Sequence, residues 1–269
     1  MNNAVPVFCE PDEYYNIDAS KIESLITSKT KAILAVHLYG QPCDMKSIKQ
    51  ICDKHKLYLV EDCAQSHGST YDGIMTGRFS DIGCFSFYPS KNLGAFGDAG
   101  AIVTDNSELA DKIRVLRNYG SEKRYYNEVV GYNSRLDELQ AGLLRVKLKY
   151  LDELNKERID IAKRYLSEVD NPKIILPKIL DKAMPIWHLF VVRVKDRAEF
   201  MSYLNECNIG SVIHYPIPPH LSQAYEYLGY KEGDYPITES NANEVVSLPI
   251  YNGMTKEEVD YTIKCLNKY

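Results

Sequence analysis

The chain has 269 residues, of which 45% are hydrophobic and 26% are charged, and these values exclude the disordered, collagenous and coiled-coil classes. Lys and Arg total 32 against 37 Asp and Glu, and no region is strongly basic, so nucleic acid is not an expected partner. Seven scattered cysteines without a CxxC pair, and no apolar run of about 20 residues, predict a cytoplasmic protein that does not enter a membrane.

The first half of the chain alternates apolar strands with amphipathic helices, which is typical of a mainly parallel α/β sheet. Asp44 is a candidate cap for a helix whose apolar face includes Met45 and Ile48. The other predicted elements are strands at residues 5–8, 32–39, 57–60, 82–87 and 101–104, and a helix at residues 107–118.

The second half begins with a long apolar stripe, from Leu136 through Leu154 and Ile161 to Tyr165, which predicts one long helix that bridges two domains. We predict a large domain over residues 1–150 and a smaller α/β domain over residues 151–269. The elements expected after the long helix are strands at residues 188–194 and 211–215 and helices at residues 197–207 and 256–267.

Two residues at predicted strand ends could carry chemistry. Asp62 follows an apolar strand, where open parallel sheets place ligand-binding groups, although it could equally cap the next turn. Lys91 lies just past another strand, where burial would lower its pKa and make its amine a nucleophile, although a solvated loop lysine is the more common case. Together, a carboxylate and a Schiff-base lysine are what pyridoxal-phosphate chemistry requires.

Four segments resemble the sugar-nucleotide aminotransferases of the DegT family, within the fold type I pyridoxal-phosphate enzymes. They are EDCAQ at 61–65, SFYPSK at 86–91, GDAGAIVT at 97–104 and GYNSRLDELQA at 131–141. The resemblance implies a fold type I α/β architecture and assigns cofactor roles by position. Lys91 would form the Schiff base, Asp62 would pair with the pyridinium nitrogen, Gln65 would bind the ring hydroxyl, Ala64 would lie against one ring face, and Ser86 would bind the phosphate.

The same resemblance implies a homodimer with shared active sites. Asn133 would reach the cofactor phosphate of the neighbouring subunit, although it could instead cap the long helix. His188, His214, Tyr215 and His220 resemble segments near the family's substrate site. For each histidine a satisfied structural role is an equal alternative. His37 and His67 have no assigned role, and no metal ligand set is expected.

Residues 91–100 resemble the branch of the family that aminates C-3 of nucleotide-linked 3-keto-6-deoxy sugars. The expected function is therefore transamination of a dTDP-3-keto-6-deoxyhexose with glutamate as donor. One alternative is a pyridoxal-phosphate sugar dehydratase, but those enzymes replace the lysine at position 91 with histidine. The other is a catalytically incomplete remnant, because family members carry a Gly-Thr pair and a ring-stacking aromatic upstream of the part matched here, and we therefore expect an N-terminally incomplete large domain.

Overall fold

The computed structural model describes residues 4–269, and its first half is built on a four-stranded sheet. The strands are β1 (Ala32–Val36), β2 (Tyr58–Asp62), β5 (Ile82–Ser86) and β6 (Gly100–Val103), in the order β1-β2-β5-β6. The first three are parallel and β6 is antiparallel to β5, so the predicted mainly parallel sheet is confirmed. Ile33 and Ala35 of β1 are buried while Leu34 is 57% exposed, as the two-residue period of a strand requires.

Helices α1 (Ala19–Leu25), α2 (Met45–His55) and α3 (Ser107–Leu116) accompany this sheet. The predicted cap of α2 is confirmed, because Asp44 accepts a hydrogen bond from the Ser47 backbone N–H at 3.2 Å. The buried face of α2 packs on the apolar side of β1 and β2, in a cluster that includes Met45, Ile48, Ile33 and Leu59. This packing fixes the end of β2 where Asp62 lies.

The prediction of one long helix is wrong, because the structure has α4 (Glu138–Leu148) and then α5 (Leu151–Glu168). Tyr150 leaves the helical region, with φ −108° and ψ 4°. Two acidic residues, Asp152 and Glu153, then stand in the first turn of α5, where they favour a new helix N-terminus. Leu144 of α4 and Leu151 at the start of α5 share the cluster around Leu93, and α5 then continues into the cluster around Tyr165.

The second half contains the antiparallel pair β8 (Phe190–Arg193) and β9 (Val245–Leu248), with α6 (Arg197–Glu206), α7 (Pro236–Glu244) and α8 (Lys256–Leu266). Its core includes Tyr165, Phe190, Phe200, Leu204 and Leu266. A small sheet of β3 (Thr70–Tyr71), β4 (Ile74–Met75) and β7 (Ala183–Met184) joins segments from both halves. The division at residue 150 stays a prediction.

Two further predicted strands are wrong. Residues 5–8 form no strand, and Pro6 has no N–H to donate to a ladder. Residues 211–215 make only an isolated bridge between Val212 and Ser247, and the proline-rich segment that follows limits further pairing. No helix of the described residues combines the length and apolarity needed to cross a bilayer.

Candidate active site

The carboxyl ends of the parallel strands place the candidate residues at one edge of the sheet. Asp62 ends β2 and Ser86 ends the neighbouring strand β5. Asp62 pairs in register with Cys84, two residues before Ser86. Lys91 follows in the turn after β5, where its backbone N–H donates to the Tyr88 carbonyl at 2.8 Å. This is the edge at which open α/β sheets bind ligands.

The Lys91 side chain is partly buried at this edge. Burial lowers the pKa of its amine, and the negative charge of Asp62 opposes that shift without cancelling it. Lys91 thus lies in the turn five residues beyond the end of β5, partly withdrawn from solvent. A lowered pKa increases the share of unprotonated amine near neutral pH, which a nucleophilic lysine needs.

The Asp62 carboxylate is held by its own turn. Its Oδ1 accepts a hydrogen bond from the Ala64 backbone N–H at 2.9 Å. The turn-capping interpretation of Asp62 is thus correct, and it is compatible with a ligand role. A carboxylate oxygen has further lone pairs, so this hydrogen bond orients Asp62 without exhausting it.

Gln65 is almost completely buried and connects three parts of the chain. Its Oε1 accepts from the Tyr39 backbone N–H at 2.6 Å, and its Nε2 donates to the Tyr215 hydroxyl at 3.2 Å. The Tyr39 hydroxyl donates in turn to the His214 carbonyl at 2.5 Å. Gln65, His214 and Tyr215 are therefore brought together, and Gln65 retains one N–H for a ligand.

Ser86 and His67 are joined by a hydrogen bond near the turn that carries Lys91. The Ser86 Oγ accepts from the Tyr88 backbone N–H at 3.3 Å, so its own hydroxyl hydrogen remains available. The Ser86 carbonyl accepts from Nε2 of His67 at 2.8 Å. Among the described residues, Nδ1 of His67 is the buried side-chain nitrogen without a hydrogen-bond partner. Burial lowers the pKa of His67 to about 4, so this imidazole is neutral.

His188 and His214 both lie within the electrostatic influence of Lys91. Burial and then Lys91 lower the pKa of His188 to about 3, and the same two causes lower the pKa of His214. Nδ1 of His188 lies 3.1 Å from Oδ1 of Asn92, and Nδ1 of His214 lies 2.7 Å from the Ser247 hydroxyl. Both imidazoles are therefore neutral groups near the lysine.

Two predicted site residues are not connected to this group by any hydrogen bond in the described part of the chain. Asn133 has an exposed side chain and forms a backbone bridge with Asn118. His220 is buried, with Nε2 2.9 Å from Oε1 of Glu239 and its ring centroid 4.7 Å from that of Tyr235. The cofactor role of Asn133 and the substrate role of His220 stay predictions, but Asn133 does not cap the helix that follows, because the N-cap of α4 is Asp137.

The unassigned His37 belongs to a closed structural cluster. Its Nδ1 accepts from the Cys43 backbone N–H at 3.1 Å, so Nε2 carries the proton and donates to Glu61 at 2.9 Å. Glu61 and His37 approach Cys63 closely enough to suggest a metal site, but both ring nitrogens are occupied. Burial raises the pKa of Cys63 to about 12, so its thiol stays protonated and is a poor metal ligand.

Sequence reasoning missed three buried polar residues around the lysine loop. Nδ2 of Asn92 donates to Oδ1 of Asn155 at 2.9 Å, and Nδ2 of Asn155 donates to the His67 carbonyl at 2.7 Å. Arg158 is also buried and donates to the carbonyls of Trp187, His188 and Ile250. A signal for Arg158 existed, because it occupies the position between Leu154 and Ile161 at which the apolar stripe is interrupted.

Comparison with known proteins identifies relatives of this arrangement. Residues 1–267 match the DegT/DnrJ/EryC1/StrS aminotransferase family. The chain is 54% identical to the dTDP-3-amino-3,6-dideoxy-alpha-D-galactopyranose transaminase of Aneurinibacillus thermoaerophilus, over 100% of this chain and 74% of that protein.

Solved structures are similar as well. S. venezuelae DesV superposes with a TM-score of 0.96 at 45% identity, over 98% of this chain and 72% of that one. NtdA from Bacillus subtilis, solved with bound PMP, superposes with a TM-score of 0.88 at 35% identity, over 97% of this chain and 62% of that one. These similarities confirm the expected aminotransferase fold.

Proposed function

Because this chain belongs to the DegT/DnrJ/EryC1/StrS aminotransferase family, we propose that it transfers an amino group from glutamate to C-3 of a dTDP-linked 3-keto-6-deoxyhexose. The observation that carries the proposal is the position of a partly buried Lys91 in the turn after β5, at the sheet edge where Asp62 ends β2. The choice of sugar rests on the Aneurinibacillus relative, whose name specifies a 3-amino-3,6-dideoxy sugar linked to dTDP. The glutamate donor rests on the family resemblance.

The cofactor of this aminotransferase is pyridoxal phosphate, and the donor set around Lys91 fits it. Asp62 offers a carboxylate for the ring nitrogen, Gln65 offers one free N–H for the ring hydroxyl, and Ser86 offers a hydroxyl hydrogen for the phosphate. When bound, the cofactor supplies an electron sink for the carbanion that forms next to the transferred nitrogen. A sheet edge that offered only positive charge or only apolar side chains at these positions would not bind the nitrogen and hydroxyl of the cofactor ring.

Lys91 has two tasks in this mechanism. Its Nζ forms the covalent attachment to the cofactor, and after release the same Nζ can take and return the proton that moves during transamination. Burial favours the unprotonated amine, which suits both tasks. Burial and the charge of Lys91 lower the pKa of both His188 and His214. Neither imidazole therefore takes up the proton that Lys91 has to move.

We also propose a homodimer in the cytoplasm, with Asn133 directed at the partner's cofactor phosphate. The dimer is supported by exposed apolar side chains beside the lysine loop: Phe96 is 81% and Leu139 is 78% exposed. Helix α4 contacts that loop directly, since the Phe96 backbone N–H donates to Oε1 of Gln140 at 2.9 Å. Leu139→Glu should produce a monomer in sedimentation velocity, and an unchanged dimer would reject this surface. Seven free cysteines are consistent with a reducing compartment.

The test of the proposed function has two stages. Purified protein is mixed with pyridoxal phosphate, its visible spectrum is recorded, and borohydride reduction with peptide mass mapping locates the attachment. We expect modification of Lys91, followed by conversion of a dTDP-3-keto sugar in the presence of glutamate with ping-pong kinetics. Attachment at another lysine would reject the assignment of Lys91. Attachment at Lys91 without turnover would favour the catalytically incomplete alternative.

A further inference from the structure

The proton position on His188 can be deduced from its neighbours. Nδ1 of His188 lies 3.1 Å from Oδ1 of Asn92. The Asn92 amide nitrogen is occupied as a donor, to Oδ1 of Asn155 at 2.9 Å and to the Ile186 carbonyl at 3.3 Å. Two acceptors on one side fix the amide orientation, so the atom that faces His188 is the oxygen. An oxygen can only accept, and Nδ1 of His188 must therefore carry the hydrogen.

The other ring nitrogen of His188 is consequently a bare acceptor. The imidazole is neutral, because burial lowers its pKa to about 3 with further contributions from Lys91, Arg158, His67 and His214. In a neutral ring with hydrogen on Nδ1, Nε2 presents a lone pair. Nε2 has no hydrogen-bond partner within residues 4–269, and it is not sealed from solvent as Nδ1 of His67 is.

His67, whose pKa is also lowered by burial and by Lys91, shows the opposite arrangement. Its Nε2 donates to the Ser86 carbonyl at 2.8 Å, which leaves Nδ1 without hydrogen. That nitrogen is buried and inaccessible, whereas Nε2 of His188, in a residue that is 8% exposed, is not sealed in this way. Two neutral histidines under the influence of Lys91 thus have opposite tautomers, and only the free nitrogen of His188 is not sealed.

We infer that His188 accepts a hydrogen bond from a hydroxyl group of the sugar substrate through Nε2, and that Asn92 fixes the tautomer that makes this possible. The inference rests on the proposed function, and it names the residue that would recognise the sugar substrate. An amino-acid donor has one group with hydrogen to give, its amino group, and that group is the one transferred, while its carboxylates have no hydrogen to give to a lone pair and repel it. A hexose carries hydroxyl donors. The acceptor therefore serves the sugar half-reaction.

The position of Asn92 explains how one loop can both present Lys91 and orient His188. Asn92 directly follows Lys91, and its amide is held by Asn155 of α5 and by the carbonyl of Ile186. The loop that presents the lysine therefore also orients His188. We classify Asn92 as a positioning residue, because it acts through His188.

The first test measures the tautomer without any ligand. Long-range ¹H–¹⁵N correlation spectra of ¹⁵N-labelled protein at pH 7 distinguish which ring nitrogen carries hydrogen, and His188→Gln assigns the signal. We expect hydrogen on Nδ1 of His188 and on Nε2 of His67. Asn92→Ala should abolish the Nδ1 preference of His188 and leave His67 unchanged, which also shows that the variant is folded. Hydrogen on Nε2 of His188 in the unmodified protein would overturn the inference, whatever the enzyme's activity.

The second test separates the two half-reactions. His188→Phe removes both nitrogens and keeps a planar ring. We expect KM for the keto sugar nucleotide to rise about tenfold, the effect of one lost hydrogen bond, while the glutamate half-reaction changes less than about twofold. His188→Gln, which keeps an acceptor oxygen, should restore part of the loss. Equal losses in both half-reactions would overturn the proposed sugar contact, and absence of transamination in the unmodified protein would instead reject the proposed function.

Discussion

Two buried histidine clusters lie at neighbouring strand ends, and they differ in how completely their polar atoms are satisfied. In the first, both nitrogens of His37 are hydrogen-bonded, and Glu61 accepts five hydrogen bonds from His37, Gly77, Phe79 and Ser80. In the second, around Lys91, His67 retains an unpartnered Nδ1 and His188 an open Nε2.

The difference separates a structural role from a ligand-binding one. Burying a polar atom without a partner costs about 1–3 kcal/mol, and this cost applies to the inaccessible Nδ1 of His67, whereas the open Nε2 of His188 remains available to a ligand. The His37 cluster is complete without a ligand and stabilises the turn after β4. The Lys91 cluster is incomplete in the protein alone. A buried histidine is therefore informative only when both of its nitrogens are accounted for.

The largest effect should come from Lys91. Lys91→Arg keeps the positive charge but removes the amine that forms the covalent attachment, and we expect transamination to fall more than about 1000-fold. The control is Lys147→Arg. Burial also lowers the pKa of Lys147, but its Nζ donates to the Gly94 carbonyl, and mass mapping should still find the cofactor on Lys91 in that variant. Retained turnover in Lys91→Arg would refute the assignment.

Glu61 should be the most sensitive position for stability in the closed cluster. Burial raises the pKa of its carboxyl, but the hydrogen bonds from His37, Gly77 and Ser80 outweigh that effect and hold the pKa below its usual value. Glu61→Gln directs an N–H₂ group at N–H donors, so the free energy of unfolding should fall by about 3 kcal/mol in denaturant titrations. A change below about 1 kcal/mol would contradict this interpretation of the cluster.

The cluster around Lys91 should make the free energy of unfolding depend on pH through His67. The pKa of His67 falls from its ordinary value of 6.5 to about 4 on folding, so the unfolded chain binds this proton first as the pH drops. Stability should therefore be lost between pH 6.5 and pH 4, at up to about 1.4 kcal/mol per pH unit for this group. His67→Gln should reduce that slope, and the exposed His55→Gln controls for loss of one imidazole. Identical slopes in wild type and His67→Gln would count against a buried neutral His67.

The smallest effect should follow from removal of a single donor to Glu61. Ser80 donates through Oγ to Oε1 of Glu61 at 2.7 Å, and that oxygen keeps two backbone donors when the hydroxyl is lost. Ser80→Ala should cost about 1 kcal/mol, well below Glu61→Gln. Transamination by Ser80→Ala should match the unmodified protein, and a large activity loss would show that the two clusters are not independent.

Local patterns predicted the first half of the fold well. The apolar run at residues 57–60 and the cap at Asp44 act over a few residues, and both elements form where expected. The strand predictions at residues 5–8 and 211–215 were wrong because a strand needs a partner strand to pair with. The local sequence does not show whether such a partner lies nearby in the fold. The helix break at Tyr150 was missed because the apolar stripe continues through it, and Leu144 before the break and Leu151 after it still share one apolar cluster.

The sequence by itself determined the alternation of strands and helices, the strand-end placement of Asp62 and Lys91, and the resemblance that assigns a family. These depend on local periodicity and on contiguous motifs. Only the tertiary structure decided which histidines are saturated and which are open, because His37 is completed by Glu61, 24 residues away, whereas Asn92, 96 residues from His188, occupies only Nδ1 of that ring. A hydrogen bond between distant segments exists only once packing has brought both partners together, and the proton position on each imidazole follows from that packing.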